Sequence, residues 1–185
     1  MVDFQEEYPH VSFDIYTAVA DDVKERMESG LLDIGLLLEP VEITGYHFLR
    51  MPQKEKWCVL MRADSPLAEK AAIKAADLAG QRLILTRRKS VKNELENWLG
   101  EFYDQIRIVG TTNLSYYNRV MMVKNGFGIA ACHEFQNMDN ELCLRPLIPE
   151  LSNGSVLIWK KAQVFSPAVE KFLEFVKRRL SADER

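Results

Sequence analysis

Val11, Phe13 and Ile15 alternate with Ser12, Asp14 and Tyr16. A period of two predicts a strand with one covered face. A polar helical stretch, Asp21 to Ser29, comes next, and Gly30 stands where a helix-ending glycine belongs. The unbroken apolar run Ile34-Gly35-Leu36-Leu37-Leu38 suits a strand covered on both faces, as in a parallel sheet. Strand, helix and strand in this order predict a βαβ unit.

After Pro40 the texture changes. Tyr46 to Leu49 and Trp57 to Met61 predict two strands, and Arg82 to Thr86 a third. An alanine-rich stretch, Ala71 to Ala79, precedes Gly80. Beyond the basic loop Arg87-Arg88-Lys89, the residues Val91, Leu95, Trp98, Leu99 and Phe102 recur at helical spacing, with Ser90 as the expected N-cap. Ile106 to Val109 predicts a strand. Leu114 to Asn125 predicts a helix with Asn113 as its cap and Gly126 as its stop, and Phe127 to Ala131 a short strand. Val156 to Trp159 predicts another strand. Pro167 opens a last helix whose Val169, Phe172, Leu173, Val176 and Leu180 form one apolar stripe. Alternating strands and helices predict the α/β class. No repeat, low-complexity tract or Pro/Gly/Ser-rich linker is present.

The chain has 185 residues, 47% of them hydrophobic, enough for a core without disulfide or metal staples. Its net charge of -3 argues against a basic face for nucleic acid. The acids are concentrated early: residues 1–40 hold ten acids and two bases. No run approaches a membrane span of ~18 apolar residues, and the start MVDFQEEYPH lacks the basic and apolar parts of a signal peptide. The expectation is a cytoplasmic protein.

The three cysteines, Cys58, Cys132 and Cys143, show no CxxC spacing and read as buried free thiols. His10, His47 and His133 are scattered. His133-Glu134 matches no metal spacing and reads as the start of a short helix. No nucleophile elbow, Walker loop or dinucleotide turn occurs. Neither a catalytic residue, a metal nor a cofactor is assigned.

Six segments resemble one family when taken in order. They are Glu6-Glu7-Tyr8-Pro9-His10-Val11, Met27-Glu28-Ser29-Gly30-Leu31-Leu32-Asp33-Ile34-Gly35-Leu36, Arg62-Ala63-Asp64-Ser65-Pro66-Leu67-Ala68, Asp77-Leu78-Ala79-Gly80-Gln81-Arg82-Leu83-Ile84, Val123 to Ala130, and Ser166-Pro167-Ala168-Val169 to Phe175. Together they resemble the effector-binding (substrate-binding) domain of LysR-type transcriptional regulators over nearly the whole chain.

The resemblance implies a two-lobed periplasmic-binding-protein-like (type 2) fold, each lobe an α/β sandwich. Lobe I is expected at 1–55 and 152–185, discontinuous and N-terminally truncated, and lobe II at 56–151. It implies a small-molecule effector, polar or anionic, held between the lobes, and no enzymatic activity. Transport-type solute binding and small-acid enzymology on the same fold are the alternatives. DNA contact would belong to a winged helix-turn-helix absent from this chain. Relative to the family, a first strand of lobe I is expected to be missing, leaving an unpaired slot. Unpaired strand edges invite pairing, so a homodimer or higher oligomer, or a rearranged lobe I, is expected. No membrane partner is expected.

Ligands of open α/β sheets bind beyond the carboxyl ends of strands. Three loops meet that condition. The first is Thr17-Ala18-Val19-Ala20, which offers backbone N–H groups, apolar contact and the Thr17 hydroxyl. The second runs from Thr86 through Arg87, Arg88 and Lys89 to Ser90, where cations and a helix start could hold a carboxylate or phosphate. The third is Thr111-Thr112-Asn113-Leu114-Ser115, with Tyr116 and Tyr117 beside it; the resemblance places effector-orienting side chains here. Each loop also admits a plain structural reading, as an ordinary connection, a solvated basic loop or a helix cap.

Overall fold

The computed structural model describes residues 1–113, 116–136 and 140–183. It divides into two compact units: Met1–Gln53 with Gly154–Arg185, and Lys54–Asn153.

In the first unit, β1 (Gly35–Leu38) and β2 (Tyr46–Arg50) both pair antiparallel with the late strand β9 (Ser155–Lys160). Alternate residues of this sheet face opposite ways. On one face Leu37, Tyr46, Val156 and Ile158 pack against Ala20, Val23 and Met27 of α2 (Ala20–Glu28). On the other, Leu157 and Trp159 pack against Val169, Leu173 and Val176 of α5 (Pro167–Asp183). The apolar stripe of the last helix therefore performs the task its spacing predicts. A short helix α1 (Val2–Glu7) is anchored by Phe4, whose ring meets Phe172 and Phe175 with centroids 5.2 and 5.4 Å away. The ion pairs Arg178–Glu7 and Arg179–Asp3 flank that contact. They are exposed, and such pairs contribute at most about 1 kcal/mol. Burial of Phe4, worth about 1.5–3 kcal/mol, dominates.

Two expectations fail in this unit. Residues 11–16 form no strand. Only Val11 and Phe13 of the alternating set are half-buried, and Ile15 is 70% exposed: Phe13 lies 5.9 and 5.4 Å from the Phe4 and Phe172 rings, while Val11 N donates to Tyr8 O at 3.1 Å. With no first strand, no βαβ unit forms. The run at 34–38 is not covered on both faces either. β1 is an antiparallel strand at the sheet's edge, with Leu36 62% exposed.

The second unit holds a mixed sheet. Its strands are β3 (Glu55–Arg62), β4 (Arg82–Thr86), β5 (Arg107–Thr112), β6 (Ile129–His133) and β7 (Leu142–Pro146), in the order β5-β4-β6-β3-β7, and the two-residue β8 (Ser152–Asn153) pairs with β3. β4 runs parallel to both β5 and β6, and β3 antiparallel to β6 and β7. One face carries Trp57, Val59, Met61, Leu83, Leu85 and Ala131 onto Val91, Leu95 and Leu99 of α3 (Lys89–Leu99). The other carries Leu60, Ile84, Ala130 and Cys132 onto Val123 of α4 (Tyr116–Lys124).

Helix ends differ from the expectation. The N-cap of α3 is Arg88, and Ser90 lies inside the helix. Gly100, at φ +53°, turns the chain out of α3, so Phe102 belongs to a 3-10 turn (Gly100–Gln105). A positive φ costs glycine nothing and other residues a good deal. His133 closes β6 and does not open a helix.

Candidate functional site

In the second unit the carboxyl ends of the parallel strands β4 and β5 lie side by side, with Thr86 in register with Thr112. The chain leaving β4 is tied to β5 by Arg87 N donating to Thr112 O at 2.8 Å. The Thr86 hydroxyl accepts from Arg88 N at 3.3 Å. Beyond these ends opens a concavity of about 450 Å³. Arg87, Thr112, Asn113, Tyr117 and Asn118 bring polar groups to it, with Met121 and Met122 as apolar wall. That size and mixture suit a small organic molecule.

α4 contributes half of this lining because 117 and 121, and 118 and 122, are each one helical turn apart. Behind the lining, Arg119 donates to Thr112 Oγ1 from Nε at 3.3 Å and from Nη2 at 3.0 Å. Its guanidinium also reaches the Cys132 thiol. Burial nevertheless pushes that thiol up to about 12, since a thiolate loses its solvation there.

The predicted residues separate clearly. Arg87, Thr112 and Asn113 meet at the concavity, joined by Thr111 and Tyr117 from the same loop reading. Thr86 stands behind them, engaged with Arg88. Ser90 does not line this space and sits in the first turn of α3. Thr17, Ala18, Val19 and Ala20 belong to the first unit: Val19 is the N-cap of α2, Ala20 is buried in its first turn, and Ala18 packs in the α2 cluster. Leu114 and Ser115 lie outside the described residues. Asn118, Arg119, Met121 and Met122 carry no sequence expectation. The signal for them was available in the one-turn spacing of tyrosine, asparagine and methionines after a strand end.

Among the described residues no group of three or more His, Cys, Asp or Glu side chains is placed to hold a metal ion. No helix among them is long and apolar enough to cross a membrane.

Comparison with known proteins bears on this architecture. The family model for the LysR substrate binding domain matches residues 1–181. The chain is 26% identical over 191 residues to the uncharacterized HTH-type transcriptional regulator YvbU of Bacillus subtilis (strain 168), covering 98% of this chain and 62% of that protein. It spans about six-tenths of the length of the curated relatives it matches. Among solved structures, the effector binding domain of QuiR in complex with shikimate is similar at a TM-score of 0.83 and 17% identity, covering 96% of this chain and 87% of that one. The Synechocystis PCC6803 CcmR regulatory domain in complex with 2-PG is similar at a TM-score of 0.76 and 18% identity, covering 94% and 86%. At such identities the likeness concerns the fold. The family match extends over nearly every residue, and the chain belongs to the LysR substrate binding domain family.

Proposed function

We propose that this chain is the effector-binding part of a LysR-type transcriptional regulator, and that it takes a small polar or anionic molecule at the carboxyl ends of β4 and β5. The observation that carries the reading is the convergence of Arg87, Thr112 and Asn113 on one concavity of about 450 Å³. Strand carboxyl ends are where open α/β sheets receive ligands, and arginine grips carboxylates with two parallel hydrogen bonds. The structural neighbours with shikimate and with 2-PG support an acidic ligand class. The curated relatives YvbU and YybE are longer and carry HTH in their names, so DNA contact would belong to residues outside this chain. A cytoplasmic setting accompanies that reading, and the function is signalling, with no reaction catalysed.

A second copy of the chain is the proposed protein partner, because β1 stands at the edge of its sheet, in the order β1-β9-β2. Light scattering on the purified chain reads this directly, and a monomer at all concentrations overturns it.

A ligand that binds only the folded state raises its melting temperature, by about 2.7 kcal/mol of stabilisation at a hundredfold excess over Kd. Shikimate and 2-PG are the first probes. The expected result is stabilisation of the unaltered chain by a small acid and its loss in Asn113→Ala and Arg87→Ala. Equal stabilisation of all three proteins would remove this site from the function.

A further inference from the structure

The orientation of one hydroxyl selects the chemistry of the ligand, an inference that rests on the effector site proposed above. A threonine hydroxyl has one proton to donate and two lone pairs to accept with. At Thr112 both Nε and Nη2 of Arg119 donate to Oγ1, at 3.3 and 3.0 Å. A guanidinium can only donate, and it keeps its charge at every accessible pH. The acceptor capacity of Thr112 is therefore engaged, and what remains for a ligand is the O–H proton. Among the described residues the hydroxyl has no other hydrogen-bond partner, and Thr112 lines the concavity.

The surroundings hold Arg119 to this task. It lies half-buried on α4 with the Cys132 thiol at its back. Among the described residues no carboxylate forms an ion pair with it. Its positive charge therefore remains available to the concavity, to which Arg87 adds a second. We infer that Arg119 is a positioning residue that sets specificity: by occupying the lone pairs of Thr112 it makes the ligand atom at that point an acceptor, a carboxylate oxygen rather than an ammonium or amide N–H.

The test uses a matched pair of probes, cyclohexanecarboxylate and cyclohexylmethylamine, titrated into the full chain while the backbone amides of residues 110–113 are followed by NMR. The acid is expected to shift those amides and to bind at least about tenfold tighter than the amine. Arg119→Met is expected to collapse that ratio, because the freed lone pairs then accept from the amine. Thr112→Val keeps the Arg119 charge, and it is expected to collapse the ratio too, while Thr112→Ser retains it. Thr112→Val carries the test if Arg119→Met does not fold. An undiminished preference in Thr112→Val would mean that Arg119 acts by charge alone, and overturns the inference. Equal binding of acid and amine at these amides in the unaltered chain also overturns it while leaving the site in place. No shift at residues 110–113 with either probe overturns the site and the inference together.

Discussion

Trp57 Nε1 donates to Asn153 Oδ1 at 2.5 Å, a bond that closes 96 residues of sequence. The same oxygen accepts from His133 Nε2 at 2.9 Å, and the Asn153 amide N–H in turn donates to Glu94. Asn153 is 2% exposed, the one buried polar side chain among the described residues. Asn153→Ala leaves the Trp57 indole N–H, itself in a residue 2% exposed, without its acceptor. Stranding a buried donor costs about 1–3 kcal/mol. We expect Asn153→Ala to lose about 2–3 kcal/mol in urea unfolding. A loss under about 0.5 kcal/mol would show that the network does not hold β8 on β3.

His133 gives this network a pH dependence. Burial holds its imidazole below the usual histidine range, against the opposing pull of the Asn153 hydrogen bond and Glu55; Arg119 adds to the depression. A depressed folded pKa means that the unfolded chain binds the proton more readily. Stability from the neutral ring is then present above the ordinary value near 6.5 and is lost as pH falls from there toward the folded value. In acid titrations of urea stability, His133→Asn is expected to lack the part of the decline that begins near that pH. Superimposable profiles for the two proteins would contradict this.

What the sequence revealed depended on the kind of signal. β4 was visible because Leu83, Ile84 and Leu85 are all buried, and a run covered on both faces has no rival reading at that length. α5 was visible because its stripe meets one sheet face. Residues 11–16 misled because the alternation tracks burial only at Val11 and Phe13, Ile15 being exposed, and because a strand also needs a neighbour for its N–H and C=O groups, which no local pattern records. The Ser90 cap failed by two positions because Arg88 N found the Thr86 hydroxyl, a tertiary detail of the β4 end. β7 was overlooked, although it covers β3 and carries Leu142 into the core. At the candidate site, the strand-end rule located Arg87, Thr112 and Asn113. Arg119 lay beyond its reach, since its partnership with Thr112 exists only once α4 is folded back along β5.

The cysteines offer a check on the second unit. Cys58 and Cys132 stand opposite one another on β3 and β6, 2% and 3% exposed. Burial pushes the first thiol to about 11 and the second to about 12. The thiolate is the reactive form, so neither is poised for chemistry. Cys143 is half-buried, and its thiol is raised as well, chiefly by burial. A thiol-specific disulfide reagent near pH 8 is expected to label Cys143 first, and Cys58 and Cys132 only after denaturation. Rapid labelling of all three in the folded chain would mean that the β3–β6 interior opens readily.

Two glycines test how rigid the frame of the site is, Gly110 within β5 and Gly128 at the opposite, amino end of β4. A Cβ on Gly128 would lie 2.5 Å from the Arg82 carbonyl oxygen, backbone that β4 holds in its ladder with β5 and β6. A Cβ on Gly110 would meet the Met122 and Phe127 side chains at 3.1 and 3.2 Å. The methionine can swing on its rotatable bonds, whereas a strand carbonyl moves only with its sheet. Overpacking typically costs about 1–3 kcal/mol, and the two sites should fall at opposite ends of that scale. Gly128→Ala is expected to lose about 3 kcal/mol or more, and Gly110→Ala about 1 kcal/mol or less. Because Met122 also lines the concavity, Gly110→Ala should in addition alter acid binding while sparing the fold. Equal urea midpoints for the two variants would show that the amino end of β4 yields as easily as a side chain, and the β4–β5 frame that carries the site at its other end would then lack the fixity that discrimination between ligands requires.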